Sequence, residues 1–126
     1  MARIVGAVCR LCRREGMKLY LKGSKCESPK CPVSRRDYPP GIHNTMRKRP
    51  TEYGLRLRET QKAKRAYGLS AKAFRWLLKK ESARKGNTGV RLLIALESRI
   101  DNVLYRAGFA SSRSQARQWI VHEHVR

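Results

Sequence analysis

Four cysteines near the start of the chain have the spacing expected of metal ligands. Cys9 and Cys12 form a Cys-x-x-Cys pair, and after thirteen intervening residues Cys26 and Cys31 form a second pair, separated by four residues. Two close pairs of thiolates can surround one tetrahedral zinc ion, and such sites are usually structural. An iron–sulfur cluster uses the same ligands and is the alternative cofactor. Unligated thiols and a redox-active Cys-x-x-Cys are less favoured, the latter because no thioredoxin-like strand and helix flank it.

Positive charge dominates the composition. Thirty Lys and Arg residues outnumber nine Asp and Glu residues, which gives a net charge of +21. Self-repulsion at this charge opposes compact folding in isolation, so we expect a polyanionic partner, of which nucleic acid is the commonest. Residues 1–50 hold thirteen Lys and Arg and three acidic residues, whereas residues 87–126 hold six and three. The front of the chain is therefore predicted to depend most on this partner.

Membrane insertion, secretion and catalysis are not indicated. No apolar run reaches the roughly eighteen residues of a membrane-spanning helix, and the first residues lack the apolar core of a signal peptide. We therefore expect a cytoplasmic or organelle-matrix location, where cysteines more often bind metals than form disulfides. Glu97 and Asp101 are four residues apart, but no nucleophile or base converges with them in the sequence, so a structural role is expected. The sequence predicts neither an enzyme nor a small-molecule substrate.

Helical patterns account for most of the remaining chain. A helix predicted over residues 51–67 has cations on nearly every side, which is typical of a helix that contacts a charged partner. A second helix, over residues 71–85, places Phe74 inward and Trp76 on the surface. The basic linker before them, residues 33–50, turns at a Tyr-Pro-Pro-Gly sequence and is suited to lie along a phosphate backbone.

The most apolar segment, residues 88–125, is predicted to form a helical hairpin. Its first helix has an apolar stripe at steps of three and four residues, formed by Leu93, Leu96, Ile100, Val103, Leu104 and Ala107. The second helix begins with a capping-box pattern from Ser112 to Gln115. Trp119 and Ile120 are predicted to face inward, and Arg113 and Arg117 to face outward.

The sequence of this hairpin resembles a known family. Residues 96–109, LESRIDNVLYRAGF, and residues 112–118, SRSQARQ, closely resemble bacterial small-subunit ribosomal protein S4, and the cysteine-rich start and the Tyr-Pro-Pro-Gly turn match as well. In that family the hairpin opens a small RNA-binding module of helices backed by strands. The family pattern continues past the position of Val125, so we expect a truncated module whose Trp119 and Ile120 are less buried than core residues normally are.

The resemblance implies a structural constituent of the small ribosomal subunit, either in the cytoplasmic ribosome or, alternatively, in an organelle-matrix ribosome. It implies direct binding to small-subunit ribosomal RNA early in assembly, with neighbouring small-subunit ribosomal proteins as further partners. Phosphate neutralisation and shape recognition are the expected mechanism. A zinc-dependent nucleic-acid-binding regulator outside the ribosome is the alternative, and Gln115 and Gln118 are its only candidates for base reading.

The predicted fold class is mainly α: a four-cysteine metal knuckle, a basic linker and a small helical bundle that ends in the hairpin. The expected divisions are residues 1–50 for the knuckle and linker, 51–95 for a helical RNA-binding region and 96–126 for the start of the S4-type module. The side chains expected to contact RNA are cationic and are distributed over all three regions. They are Arg3, Arg10, Arg13, Arg14, Lys18, Lys22, Arg35, Arg36, Arg47, Lys48, Arg49, Arg56, Arg58, Lys62, Arg65, Arg99, Arg106, Arg113, Arg117, His122 and His124.

Overall fold

The computed structural model describes residues 6–42 and 49–125, and these residues are mainly α-helical, as predicted. They contain seven α-helices and one short 3-10 helix at Gly23–Cys26, and no β-strand. None of these helices is long and apolar enough to span a membrane. The helices are α1 (Cys9–Glu15), α2 (Pro32–Arg35), α3 (Glu52–Ala66), α4 (Ala71–Ser82), α5 (Thr88–Glu97), α6 (Ile100–Arg106) and α7 (Arg113–Val121).

The chain divides into two compact units, which we call the cysteine unit (residues 3–66) and the C-terminal unit (residues 67–126). This boundary follows α3, because α3 packs against α1 within the cysteine unit. The divisions predicted after residues 50 and 95 follow sequence motifs and do not coincide with this boundary. Of the RNA contacts predicted from the sequence, Arg3, Arg47 and Lys48 lie outside the described residues.

In the cysteine unit, one buried carboxylate attaches α3 to α1. Glu15 ends α1, and its carboxylate accepts hydrogen bonds from Arg58, at 3.3 Å, and from Arg65. No residue of α3 is buried, so this helix adds no fully buried side chain to an apolar core. Arg58 and Arg65 were both predicted to contact RNA, and both guanidinium groups pair with Glu15. Their contact with RNA stays a prediction.

The start of the predicted linker is also held within the cysteine unit. Arg13 Nε donates to the carbonyl oxygen of Tyr38 at 3.0 Å, and Arg13 Nη2 donates to that of Pro39 at 3.3 Å. The same guanidinium lies 4.8 Å from the centre of the Tyr38 ring, a cation–π distance. Arg13, which was predicted to contact RNA, therefore holds the start of the Tyr-Pro-Pro-Gly turn against α1.

In the C-terminal unit, α4 packs against α5 through a few apolar residues. The Ser70 hydroxyl caps α4 by accepting from the Ala73 amide at 3.2 Å. Phe74 is buried on the inner face of α4 and Trp76 is exposed, as predicted, whereas Leu78 is partly exposed. The helix ends at Ser82, three residues before the predicted end.

The long helix predicted from residue 88 is in fact two helices, α5 and α6, separated at Ser98 and Arg99. Arg99 is extended, with a ψ of 137°. The buried Asn102 side chain donates to the Glu97 carbonyl at 2.8 Å, so a side chain satisfies a carbonyl that a continuous helix would give to a backbone amide. This break could not be foreseen from apolar spacing, which is continuous across it.

The predicted apolar stripe does not form one buried face. Leu96 is fully buried, at 0% exposure, whereas Leu93, Ile100 and Val103 are 55%, 64% and 51% exposed. The predicted burial of these three residues is therefore wrong. Ala116 is the fully buried residue of α7. Trp119 and Ile120 are only partly buried, as the resemblance had led us to expect.

Leu96 and Leu93 provide a matched test of this packing. Leu96→Ala should lower the free energy of unfolding by about 2–5 kcal/mol, since it leaves a cavity where the side chain is fully buried. Leu93→Ala removes the same atoms from a mostly exposed site of the same helix and should cost about 0.5 kcal/mol or less. Urea unfolding followed by circular dichroism measures both values. Equal losses would contradict the different burial of the two side chains.

Candidate nucleic-acid interface

The four cysteines converge on one cavity of the cysteine unit, with a volume of about 10 Å³. Cys9 and Cys12 lie one turn apart on α1, Cys26 ends the 3-10 helix, and Cys31 directly precedes α2. All four are free thiols, and all but Cys9 are buried. The lysines that line the same cavity are Lys18, Lys22 and Lys25.

The electrostatics of this cavity show that the thiols affect one another. Burial raises the pKa of Cys12, and the charges of the other three cysteines raise it further. Burial also opposes ionisation of Cys31, but amides of α2 and the Lys18 ammonium lower the pKa of Cys31 below its ordinary value. Among the described residues, no group of three or more His, Cys, Asp or Glu side chains has the spacing of a formed metal site. The predicted ligands thus share one cavity without closing around one point.

A second polar cluster holds the C-terminal unit together around the buried Asp101. Arg99 donates two hydrogen bonds of 3.1 Å to the Asp101 carboxylate, and Arg117 Nε donates a third at 2.9 Å. Burial alone would raise the pKa of Asp101, but these two arginines lower it below its ordinary value. Arg117 also donates to the carbonyls of Tyr67, at 2.9 Å, and Gly68, at 2.6 Å. The predicted outward position of Arg117 is therefore wrong. Arg99 pairs with Asp101, and its contact with RNA stays a prediction.

Arg113 lies between two aromatic rings of the same unit. Its guanidinium carbon is 4.6 Å from the centre of the Tyr105 ring and 4.9 Å from that of the Tyr67 ring. Arg113 Nε donates to Asn102 Oδ1 at 2.8 Å. Arg113, also predicted to face outward, is therefore part of the packing between α6 and α7.

Glu97 is the second carboxylate of this cluster. It accepts hydrogen bonds from the Tyr67 hydroxyl, from Asn102 Nδ2 at 2.7 Å and from Arg106 at 3.3 Å. The bond from Tyr67 is the main cause that lowers the pKa of Glu97 to about 2, with Asn102 and Arg106 adding to it against the opposing effect of burial. Burial and the same bond raise the pKa of Tyr67. Arg106 remains largely exposed.

The cations that remain without an acidic partner among the described residues lie on the surface of each unit. In the cysteine unit these cations include Arg10, Arg14, Lys18, Lys22, Lys25, Lys30, Arg35, Arg36, Arg49 and Lys64. In the C-terminal unit they include Lys72, Arg75, Lys79, Lys80 and Lys85. Sequence reasoning did not include the cations of α4 among the RNA contacts. Their spacing at positions 72, 75 and 79 would have revealed one helical face.

The other predicted contacts are exposed. Arg56 pairs with Glu52, and Lys62 pairs with Glu59 at 2.6 Å, both on the surface of α3. The predicted contacts His122 and His124 are also exposed, with ring centres 6.0 Å apart, and the His122 side chain is hydrogen-bonded to Gln118.

Comparison with known families agrees with the resemblance seen in the sequence. Residues 3–97 match the model of the ribosomal protein S4/S9 N-terminal domain, and residues 98–126 match that of the S4 domain. The chain belongs to the ribosomal protein S4 family. Its relatives include small ribosomal subunit protein uS4 of Acidothermus cellulolyticus, 60% identical over 124 residues, and uS4 of Thermus thermophilus, 58% identical over 126 residues.

The overlap with these members of the S4 family is unequal. The matches cover 98% and 99% of this chain, respectively, and 60% of each relative. Protein uS4A of Symbiobacterium thermophilum, 56% identical over 125 residues, is covered to the same 60%. The chain thus spans about 60% of the length of the curated relatives it matches.

The Glu97 cluster predicts a dependence of stability on pH. A carboxylate whose pKa is lower in the folded state than in the unfolded state stabilises the fold above its ordinary pKa and loses this effect as the pH falls through the folded value. Stability should therefore fall between the ordinary pKa of 4.5 and about pH 2. Urea midpoints measured across this range should show the loss, and Glu97→Gln should reduce it.

Tyr67→Phe is the matched variant for this measurement. It keeps the ring beside Arg113 but removes the hydroxyl that contributes most to the low pKa of Glu97. The loss of stability on acidification should then be smaller and should end at a higher pH than in the parent protein, because the folded-state pKa of Glu97 lies closer to its ordinary value. Identical profiles for the parent, Glu97→Gln and Tyr67→Phe would contradict the role of this hydrogen bond.

Proposed function

We propose that the chain is an RNA-binding, structural part of the small ribosomal subunit. It binds small-subunit ribosomal RNA directly and early in assembly, beside other small-subunit ribosomal proteins, in the cytoplasmic ribosome. A ribosome of an organelle matrix is the alternative location. Membership of the S4 family and the name of its bacterial relatives, small ribosomal subunit protein uS4, support this role. The role is structural and involves neither catalysis nor a small-molecule substrate.

The observation that carries the proposal is the unequal distribution of charge within each unit. Glu15, Glu81 and Asp101, three of the nine acidic residues, are buried and paired with arginines inside the fold. Many surface cations are thereby left without an acidic partner among the described residues. A surface of this kind binds a polyanion through release of the counterions around its phosphates. The internal arginines hold the helices in place, so the surface cations have fixed positions. A surface of fixed shape can recognise the shape of a folded RNA.

The alternative of a zinc-dependent regulator outside the ribosome has less support. Base reading in a groove needs amide side chains that are available at a helix start. Gln115 Oε1 accepts from the Ser111 amide at 2.9 Å and also from the Ser111 hydroxyl, and the Gln118 side chain is hydrogen-bonded to His122. Both candidate side chains are thus engaged within the chain, so recognition of shape and phosphate is favoured.

A metal centre in the cysteine unit forms the second part of the proposal. We infer that Cys9, Cys12, Cys26 and Cys31 hold one zinc ion or, alternatively, an iron–sulfur cluster. Their donor chemistry fits, since all four thiols line one cavity and their negative charges oppose one another. The buried apolar residues among the described part of this unit are Leu19 and three of the cysteines. A bound cation would therefore contribute folding free energy that so small a core cannot supply.

The RNA prediction concerns the salt dependence of binding. The logarithm of the affinity for small-subunit ribosomal RNA should fall linearly with the logarithm of salt concentration, with a slope of about −0.7 to −0.9 per contacted phosphate. Replacing the exposed Arg35 and Arg36 by alanine should weaken binding and make the slope less steep by about one per arginine that contacts a phosphate. Filter binding over a salt series measures both effects.

The matched control removes the same charge from inside the fold. Arg113→Ala/Arg117→Ala should lower the melting temperature while leaving the slope unchanged when binding is measured well below melting, since both side chains are held in the C-terminal unit. An affinity independent of salt, or equal affinity for an unrelated large-subunit RNA, would contradict the proposed function.

The metal prediction concerns content and local order. The purified chain should contain one zinc ion, measured by mass spectrometry of the metals, or iron and sulfide if a cluster is bound. Cys12→Ser should lose the metal and make residues 6–42 sensitive to protease, while the C-terminal unit keeps its helices because it forms a separate compact unit. Absence of both metals from protein isolated with four reactive thiols would contradict this assignment.

A further inference from the structure

The outer face of α4 combines an exposed tryptophan with a group of cations. Trp76 is 63% exposed, and the Lys80 ammonium lies 5.3 Å from the centre of its ring. Helical spacing places Lys72, Arg75 and Lys79 on the same face as Trp76. These four cations have no acidic partner among the described residues. A large aromatic ring thus lies in water, surrounded by positive charge.

The opposite face of α4 fixes this orientation. Phe74 and Glu81 are buried there, at 6% and 4% exposure, so α4 cannot rotate to cover Trp76 without exposing both. Glu81 is the only acidic residue of α4. Its Oε2 lies 3.6 Å from Arg84 Nη1 and 3.9 Å from Arg91 Nε. Arg91 also donates to the carbonyls of Glu81, Arg84 and Lys85, which ties the loop after α4 to α5. The cationic face is therefore presented by a helix that is held at its end.

We propose that Trp76 stacks on an unpaired RNA base while the neighbouring cations bind the flanking phosphates. This inference rests on the proposed function and identifies one contact that serves it. Single-stranded RNA is bound by aromatic rings that stack on bases within a cationic surface that follows the backbone. The face of α4 offers both parts at the spacing of one helical turn.

An acidic protein segment fits this face less well. The centres of protein–protein interfaces are depleted in lysine and acidic residues, although arginine is enriched there. Around Trp76 the long side chains are Lys72, Arg75, Lys79 and Lys80, whereas Phe74 lies on the opposite face. Burial of the ring against a protein would desolvate these cations, whereas a nucleotide supplies a π-face for the ring and a phosphate for the cations.

The affinity experiment separates stacking from charge. Trp76→Ala should weaken binding of the full chain to small-subunit ribosomal RNA by about fivefold to 150-fold, the range that one stacked base contributes. The salt slope should stay unchanged, because stacking releases no counterions. Lys79→Ala should instead make the slope less steep by about one. Phe109→Ala removes another aromatic ring of the C-terminal unit, 71% exposed, and should have no effect on either quantity.

Fluorescence tests the contact directly. The chain has two tryptophans, so Trp119→Phe leaves Trp76 as the only one. A short single-stranded oligoribonucleotide should quench its emission, and a blunt duplex of the same sequence should quench it much less, because its bases are already stacked. If a folded Trp76→Ala variant binds small-subunit RNA as tightly as the parent chain, the inference is wrong and the proposed function still holds. Quenching by an acidic peptide but not by RNA would also overturn it. Quenching by the oligoribonucleotide in a chain that does not bind small-subunit RNA would instead overturn the proposed function and leave the stacking site in place.

Discussion

Negative charge is scarce in this chain, and the packing of its helices depends on how each buried carboxylate is shared. Nine acidic residues face thirty basic ones. Glu15 accepts from two arginines of α3, and Asp101 accepts from Arg99 and Arg117. In a buried environment, loss of one partner of such a pair costs about 3–5 kcal/mol, because the remaining charge stays desolvated. Each carboxylate therefore joins helices that have little apolar surface to join them.

This arrangement divides the cations into two groups. Arginines that meet a carboxylate, a carbonyl or an aromatic ring inside a unit, such as Arg113 and Arg117, fix the helices. Arginine suits this role because its planar guanidinium can donate to several acceptors while it stacks on a ring. Lysines, with flexible stems and strongly hydrated ammonium groups, remain largely outside, as on α4 and around the cysteine cavity. The inner group determines the shape of the surface, and the outer group supplies its charge.

Local sequence signals predicted the helices better than the contacts between them. The caps at Ser70 and Ser112, and the glycine turns after α3 and α6, follow from rules that involve only a few neighbouring residues. The break at Arg99 depends on the Asn102 side chain, and an apolar pattern carries no information on that bond. The partners of Arg65 and Arg117 are 50 and 16 residues away in the chain, so local patterns could not distinguish these two arginines from surface cations.

For the cysteine cavity, too, local sequence patterns predicted which residues come together but not their exact arrangement. Cysteine spacing predicted that four thiols would meet, and they line one cavity, but spacing does not determine how closely they approach. In the described part of the cysteine unit these thiols also make up most of the buried apolar core, and α3 adds no buried residue to it.

The thiolates of the cysteine unit correspond physically to the carboxylates of the C-terminal unit. A buried negative charge favours the folded state only when positive charge compensates it, and ionised thiols in the cysteine cavity would need such compensation. Arginines compensate Asp101 from within the chain. The Cys12 thiol instead lies close to the other three cysteines, and burial together with their charges raises its pKa. A cation from outside the chain is the compensation that the proposed metal centre would provide, since the lysines around the cavity contribute single charges without coordinating sulfur.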